Sequence, residues 1–484
     1  MRDRYTNYRT DGQKPLQGVR VALVYPPYGT IKNEPGIKVV KENYGVFPNL
    51  SLLYVAGTLE DAGCSVLFVD AHAEGLDLEQ ARVRVRAFRP HFVGYTITTY
   101  LFHQTLRWIK ALKETVNVPV VVGGVHVGIY PLETLAHEVI DYGVTGEAEV
   151  SLVPLLTALS RGRDPGGVPG VVYRNPAGTP VVTAAPHVLE HVDDAPFPAR
   201  HLIDNSLYYS FVSKYKNFSP IITSRGCPYR CIFCEQGSRA FRGRSASNVV
   251  DELEVGVKEH GVREFDFFDS SFTIDKTRVL AVCDEIRRRK LDMIWSARSR
   301  PDCVDRDTLK AMARAGCTRI YYGIESGNSG ILETLRKHSD LNQIREVLEE
   351  TRRAGIDTFG YFMIGSPGET PETVEQTIRF AVELGLDYAQ FSKVTPMPAT
   401  ELYEMYLHET KRDFWREFVL DETVDQPMSR PGTDLTEEEV TAWTREAYLR
   451  FYFRPGYVLR ALLRVKSMGE LERYVRTAWQ MLVE

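Results

Sequence analysis

Cys227, Cys231 and Cys234 occupy positions 1, 5 and 8 of the stretch Cys227-Pro-Tyr-Arg-Cys231-Ile-Phe-Cys234. Thiolates are soft ligands, and three of them this close together suit an iron–sulfur cluster or zinc. A closed structural zinc site asks for four ligands and usually pairs its cysteines two apart. The downstream cysteines Cys283, Cys303 and Cys317 stand singly in apolar helical or pre-strand contexts, so no fourth partner is near. A [4Fe-4S] cluster on three cysteines keeps one iron open, and the open position is where chemistry becomes possible.

Such a loop has to be carried by a scaffold. The apolar run from Ser219 to Ser224 reads as a short buried strand, and the cysteines follow it at once, where parallel α/β folds place their reactive groups. Strands are predicted at 220–224, 264–268, 293–297, 318–323, 357–364 and 388–394. Helices are predicted between them at 247–260, 275–289, 305–315, 341–354 and 371–384. Six βα units make a partial (β/α)6 barrel of the TIM type over 216–408, open on one side. Polar or glycine-rich segments fall at its strand ends: Phe268-Asp269-Ser270-Ser271, Trp295-Ser-Ala-Arg298, Gly323-Ile-Glu325-Ser326 and Gly365-Ser-Pro-Gly368-Glu369. Tyr321, Tyr322, Tyr361, Gln390 and Lys393 are the candidates for lining a substrate pocket.

Residues 1–150 read as an α/β domain of their own, a doubly wound, Rossmann-like parallel sheet. Its β-branched runs Val19–Tyr25, Ser65–Val69, Phe92–Thr96 and Val118–Val122, with a short strand near Val144, alternate with helical stretches. A ligand is expected across the loops at the strand C-termini: Tyr25 to Tyr28, Asp70 to Ala73, Thr96 to Thr99 (with Thr98), Gly123-Gly124 to His126, and Gly146-Glu147. Residues 151–215 read as a proline-punctuated linker with a hairpin around Asn175-Pro-Ala-Gly178. Residues 409–484 read as a helical region whose Arg450, Tyr452, Phe453, Arg454 and Tyr457 either cover the barrel mouth or pack on the barrel.

Composition narrows the function. The chain has 484 residues, 43% of them apolar, enough for two or three cores. A net charge of -5 carries no footprint for nucleic acid or an anionic membrane. Apolar segments are too short to span a bilayer, seven cysteines are too few and too clustered for a secreted disulfide framework, and the N-terminal residues lack a signal-peptide core. These point to a reducing cytoplasm.

The spacing Cys-x3-Cys-x2-Cys with Phe233 inside it resembles the radical S-adenosylmethionine (SAM) superfamily. The loop order ahead of it, with Gly123-Gly124-Val-His126 after the fourth strand, is similar to the branch with an N-terminal cobalamin-binding domain. The resemblance spans nearly all of 20–405, departing at Ala399, where the family usually has glycine. It implies that Cys227, Cys231 and Cys234 hold a [4Fe-4S] cluster and that Phe233, Asp269, Ser270, Arg298, Glu325 and Gly365 surround SAM. It places cobalamin, if bound, against Tyr25, Asp70, Thr98, Gly123, Gly124 and His126. The segment Asp70-Ala-His72-Ala-Glu-Gly75 fits a cobalt-ligating pattern but follows the second strand rather than the first, so no axial ligation by His72 is expected. The family cleaves SAM reductively to a 5′-deoxyadenosyl radical that takes hydrogen from an unactivated carbon. An external donor such as flavodoxin or ferredoxin supplies the electron. The expected activity is cobalamin-dependent methylation, or a related modification, of a small natural-product or lipid molecule. The alternative is a radical dehydratase or deoxygenase of a sugar or aminoglycoside diol with a vestigial N-terminal domain.

Overall fold

The structure, a computed structural model, describes residues 14–27, 45–237, 239–424 and 428–464. Tyr28 and the last part of the expected helical region, 465–484, lie outside them. The first sheet runs through β1 (Arg20–Tyr25), β2 (Ser65–Asp70), β3 (Phe92–Thr96), β4 (Val120–Gly123), β5 (Tyr142–Val144), β6 (Val171–Arg174) and β7 (Pro180–Val182). Their spatial order is β2-β1-β3-β4-β5-β6-β7. The first five are parallel, and their central strands are apolar on both faces because helices cover both. β6 and β7 are antiparallel and extend the same sheet. The hairpin expected within residues 151–215 therefore forms an edge of the first sheet.

The second sheet is wholly parallel and follows chain order: β8 (Phe218–Ile221), β9 (Glu264–Phe267), β10 (Ile294–Ser299), β11 (Cys317–Glu325), β12 (Asp357–Ile364) and β13 (Tyr388–Lys393). This is the six-stranded open barrel the βα rhythm predicts. Trp295, Ala297, Ile320, Tyr322, Ile324, Phe362, Ile364, Ala389 and Phe391 face outward into the helical layer and belong to one core. The alternate residues, among them Arg298, Tyr321, Tyr361 and Gln390, face the lumen.

An open sheet leaves β13 with unpaired backbone groups, a liability unless covered. The helix Glu437–Tyr452 covers it with tyrosine hydroxyls. Tyr452 Oη donates to Ala389 O at 2.7 Å and accepts from Ala389 N at 3.0 Å, and Tyr448 Oη accepts from Phe391 N at 3.2 Å. Arg450 pairs with Glu375, and Arg454 donates to Val382 O and Leu386 O. These side chains close the outer edge of the barrel and do not cover its mouth. The preceding helix Phe414–Leu420 belongs elsewhere: Phe414, Trp415 and Val419 lie in the core of the first sheet. The region after 409 is thus shared between the two domains.

Candidate active site

Asp269 prepares the cysteine loop. Its carboxylate is buried and accepts from Thr223 N at 2.6 Å, Ser224 N at 3.1 Å and Ser224 Oγ at 2.8 Å, and also from the Thr223 hydroxyl. Arg278 Nη2 lies 3.4 Å away. Gly226 then turns the chain at φ +81°, where a Cβ would fall 2.2 Å from Ala240 O, so only glycine fits. Within the loop Cys234 N donates to Cys231 O (3.2 Å), Gly237 N to Cys234 O (3.3 Å) and Arg239 N to Cys227 O (3.0 Å). Ile232 fastens it to the barrel in both directions, donating to Leu335 O at 3.3 Å and accepting from Leu402 N at 2.9 Å.

Among the described residues no three His, Cys, Asp or Glu side chains gather around a single point. The fit to a cluster rests on the loop and its surroundings. The three cysteines stand on one short loop that Arg239 N closes onto Cys227 O and that Cys234 N turns back on Cys231 O. Burial raises the Cys231 and Cys234 thiols, while Lys337 and Arg300 oppose it at Cys231, and the Gln236 and Gly237 backbone N–H groups oppose it at Cys234. Cationic and N–H donors around thiolates suit a cluster ligand set.

The strand ends behind the loop divide into two kinds. Glu325 sits at φ +69° beside a register shift in the β11–β12 ladder, an uncommon backbone for a glutamate. Its Oε1 meets Lys337 Nζ at 2.7 Å in a buried pair. Gly323 makes room for that pair, since a Cβ there would stand 2.6 Å from Glu325 Oε1 and 2.8 Å from Lys337 Nζ. Gly365 takes φ +92° and donates to Glu369 Oε2. Phe233 packs beside Ile232, Ile331, Leu335, Val394 and Leu402. Ser270 is exposed, three residues past the end of β9. Arg298 points into the lumen, pairs with Asp266 Oδ1 at 2.9 Å and stacks over Phe268, 3.7 Å from the ring centroid.

Three expected side chains face elsewhere. The Asp269 oxygens are saturated by the loop donors and leave none for the SAM amino group, so it positions the cysteines instead. Tyr322 is fully buried among the outer helices, with its hydroxyl 2.8 Å from Thr351 Oγ1. Lys393 Nζ meets Glu437 Oε1 at 2.7 Å, fastening the C-terminal helix from outside. Tyr361 and Gln390 are neighbours on the inner face. Tyr361 stacks on Tyr321, and Gln390 Oε1 has no hydrogen-bond partner among the described residues.

Burial lifts the Glu369 carboxyl to about 7 against the pull of the Ser366 and Gly365 N–H groups. The folded protein then holds a proton that the unfolded chain releases above its ordinary 4.5, so stability falls as pH rises from 4.5 to 7. At about 1.36 kcal/mol per pKa unit, the loss is on the order of 3 kcal/mol. Glu369→Gln is expected to abolish that slope, read as denaturation midpoints at pH 5 and 8.

In the first domain, strand order 2-1-3-4-5 places the topological switch point between β1 and β3, where a ligand crevice opens at the strand C-termini. Thr98 and Gly124 are exposed there. Gly124 takes φ +104°, and a Cβ would lie 2.6 Å from Ile97 O, so glycine lets the two loops meet. Tyr25 and Gly123 border the crevice as the last residues of β1 and β4. His126 does not reach it. Its ring is buried against Phe102, its Nδ1 lies 3.1 Å from Thr99 Oγ1, and burial, with His103 and His137, lowers it to about 3. Asp70 is also withdrawn, accepting from Tyr208 Oη at 2.9 Å and Ala73 N at 3.0 Å. It is therefore not available to orient His72 as a metal ligand. An exposed, glycine-lined crevice at a switch point fits a large planar cofactor.

A loop of the first sheet is tied to the cysteine loop. Arg225, two residues before Cys227, pairs with Glu147 at 3.3 Å and also with Glu149. Glu147 further binds Arg242 and accepts from Leu189 N at 2.7 Å. Glu147 ends the β5 loop, so the sheet that bears one crevice holds the loop that bears the cysteines.

A switch-point sheet clamped to an open barrel with a three-cysteine first loop defines a class of enzyme that brings a second cofactor domain to a cluster. Residues 221–381 match the family model of the Radical SAM superfamily and residues 36–156 that of the B12 binding domain. The chain belongs to the radical SAM superfamily, in the branch that carries a B12 binding domain. It is 33% identical over 456 residues to an uncharacterized methyltransferase of Pyrococcus horikoshii, covering 92% of this chain and 95% of that protein. It is 27% identical over 476 residues to the anaerobic magnesium-protoporphyrin IX monomethyl ester cyclase of Rubrivivax gelatinosus, covering 96% of this chain and 83% of the relative. The fold is similar to that of the radical SAM methyltransferase TsrM from Kitasatospora setae, solved with cobalamin and a [4Fe-4S] cluster. The TM-score is 0.65 and the identity 24%, over 80% of this chain and 75% of that one. It is also similar to the cobalamin-dependent radical enzyme OxsB, with a TM-score of 0.67 and 16% identity, over 96% and 72%. The protein is a radical SAM enzyme, a class that works with a [4Fe-4S] cluster and SAM, and it carries a domain of the B12 binding family. Among the described residues no helix is long and apolar enough to cross a membrane.

Proposed function

We propose that the enzyme methylates an unactivated carbon of a small molecule, with cobalamin at the β1–β3 switch point and SAM at the barrel strand ends. The observation that carries this reading is the Glu147–Arg225–Glu149 clamp, which fixes the B12 domain against the cysteine loop. The near full-length relative named as a methyltransferase supports it.

When bound, the cluster and SAM supply a carbon radical on one-electron reduction, and the corrinoid supplies a methyl carrier. The chain's own residues bind, orient and exclude water. Cys227, Cys231 and Cys234 hold the cluster; Phe233, Ser270, Glu325 and Gly365 line the SAM side. Arg298, Tyr321, Tyr361 and Gln390 present an aromatic lumen with one cation and one unpaired amide oxygen, which suits a flat, largely apolar substrate with a polar edge. The electron comes from an external donor such as flavodoxin or ferredoxin in a reducing cytoplasm.

The similarity to the cyclase favours a second reading, radical chemistry on the substrate carbon without methyl transfer. Anaerobic reconstitution with iron, sulfide and cobalamin separates the two. Corrinoid absorbance that survives desalting, with label from methyl-deuterated SAM in the product and S-adenosylhomocysteine formed, is the expected result. An unmethylated product with 5′-deoxyadenosine alone favours the second reading, and loss of the corrinoid on desalting removes the first.

A further inference from the structure

Arg300 lies two residues beyond the strand-end arginine that sequence reasoning singled out, and it faces a different group. It is buried, 5% exposed. Its Nε and Nη2 grip Asp302 Oδ1 and Oδ2 at 2.9 and 2.7 Å, and Nη2 also donates to Lys337 O at 2.5 Å. The guanidinium carbon lies over the Tyr229 ring, 3.8 Å from its centroid, and Tyr229 belongs to the cysteine loop itself. Held from these sides, the group aims Nη1 at Cys231 Sγ, 3.6 Å away. At Cys234 the donors are the backbone N–H groups of Gln236 and Gly237, so one leg of the triplet receives a charged donor and another a neutral one.

We propose that Arg300 sets the reduction potential of the cluster through Cys231, as a positioning residue that never touches substrate. The proposal rests on the assignment of the three cysteines to a cluster. Part of the electron added on reduction resides on the sulfur ligands. A fixed cation that donates to one of them therefore stabilises the reduced form more than the oxidised form. A partner such as Asp302, 20% exposed, is screened by water, whereas the face of Arg300 toward sulfur is not. The result is a higher potential, which brings the cluster within reach of a biological one-electron donor.

The test is an EPR-monitored potentiometric titration of anaerobically reconstituted full-length protein without SAM. In Arg300→Gln the midpoint is expected to fall by about tenfold in the one-electron equilibrium, which is about 59 mV, with iron and sulfide content unchanged. Arg300→Lys, which keeps a cation but not the fork, is expected to fall between the two. Where only the lysine variant retains the cluster, its lowered midpoint supports the proposal and an unchanged one overturns it. A fully loaded Arg300→Gln protein with the wild-type midpoint overturns it, as does loss of the cluster from both variants, which would make Arg300 structural. Wild-type protein that takes up no cluster overturns the cysteine assignment as well.

Discussion

Cys231→Ser is expected to abolish reductive SAM cleavage. A serine hydroxyl keeps nearly the same volume, and the loop hydrogen bonds that shape residues 227–239 are backbone to backbone and survive. What is lost is a soft anionic ligand, because thiolate is the metal-binding form and an alcohol does not ionise in its place. The loss falls on the ligand itself, so it exceeds the roughly 10–100-fold drop typical when only a ligand's supporting group is changed. Anaerobically reconstituted variant protein should carry substoichiometric iron and sulfide, and 5′-deoxyadenosine should fall below detection. Cys303→Ser supplies the contrast. Its sulfur meets Tyr229 Oη at 2.8 Å and lies outside the triplet, so the variant should keep the cluster. Equal cluster content in Cys231→Ser and wild type would remove Cys231 from the ligand set.

The sequence showed the scaffold because periodicity and strand-end punctuation are local properties. Every predicted barrel strand lies within a few residues of its observed position. Lumen residues were only half legible. Alternation says that one of Tyr321 and Tyr322 faces inward, but both are tyrosine, and only the pairing of Arg298 with Tyr321 and of Tyr361 with Gln390 settles the phase. Lys393, three residues after Gln390, is out of phase for the same reason. Asp269 was misread because a carboxylate at a strand end can serve a ligand or a neighbouring loop, and the nearer donors took it. The clamp through Glu147, Glu149 and Arg225 joins residues 76 or more apart and left no local signal. Arg300 did leave one, the Arg-Pro-Asp step that lets Asp302 hold a guanidinium at both ends.

Ala399 shows a departure from family pattern met by strain. It takes φ +61°, the left-handed conformation that glycine adopts without steric penalty, so the turn after β13 keeps its shape with the larger residue.

The largest stability effect is expected at Glu252. Its carboxylate is fully buried between two arginines: Oε1 meets Arg200 Nη1 at 2.7 Å and Oε2 meets Arg244. Arg200 comes from the segment between the domains and also donates to Ser219 Oγ and Pro220 O of β8. Arg244 follows the cysteine loop and reaches Tyr54, on the helix Leu50–Asp61 of the first domain, at 3.3 Å. One carboxylate thus ties both domains and the segment between them. Burial pushes Glu252 upward, but Arg244 and Arg200 outweigh it and hold the group below its ordinary 4.5. Its contribution is therefore present above that value and is lost as pH falls through the lower folded one. Glu252→Gln leaves two guanidinium groups buried without a counter-charge, which is expected to cost about 3–5 kcal/mol. Replacing Arg200, Glu252 and Arg244 together by Met, Leu and Met removes the charges with their desolvation cost and is expected to destabilise far less than the single change. Denaturant midpoints of the three proteins at pH 7.5 measure the difference. A Glu252→Gln protein as stable as wild type would show that the triad joins the domains without holding them.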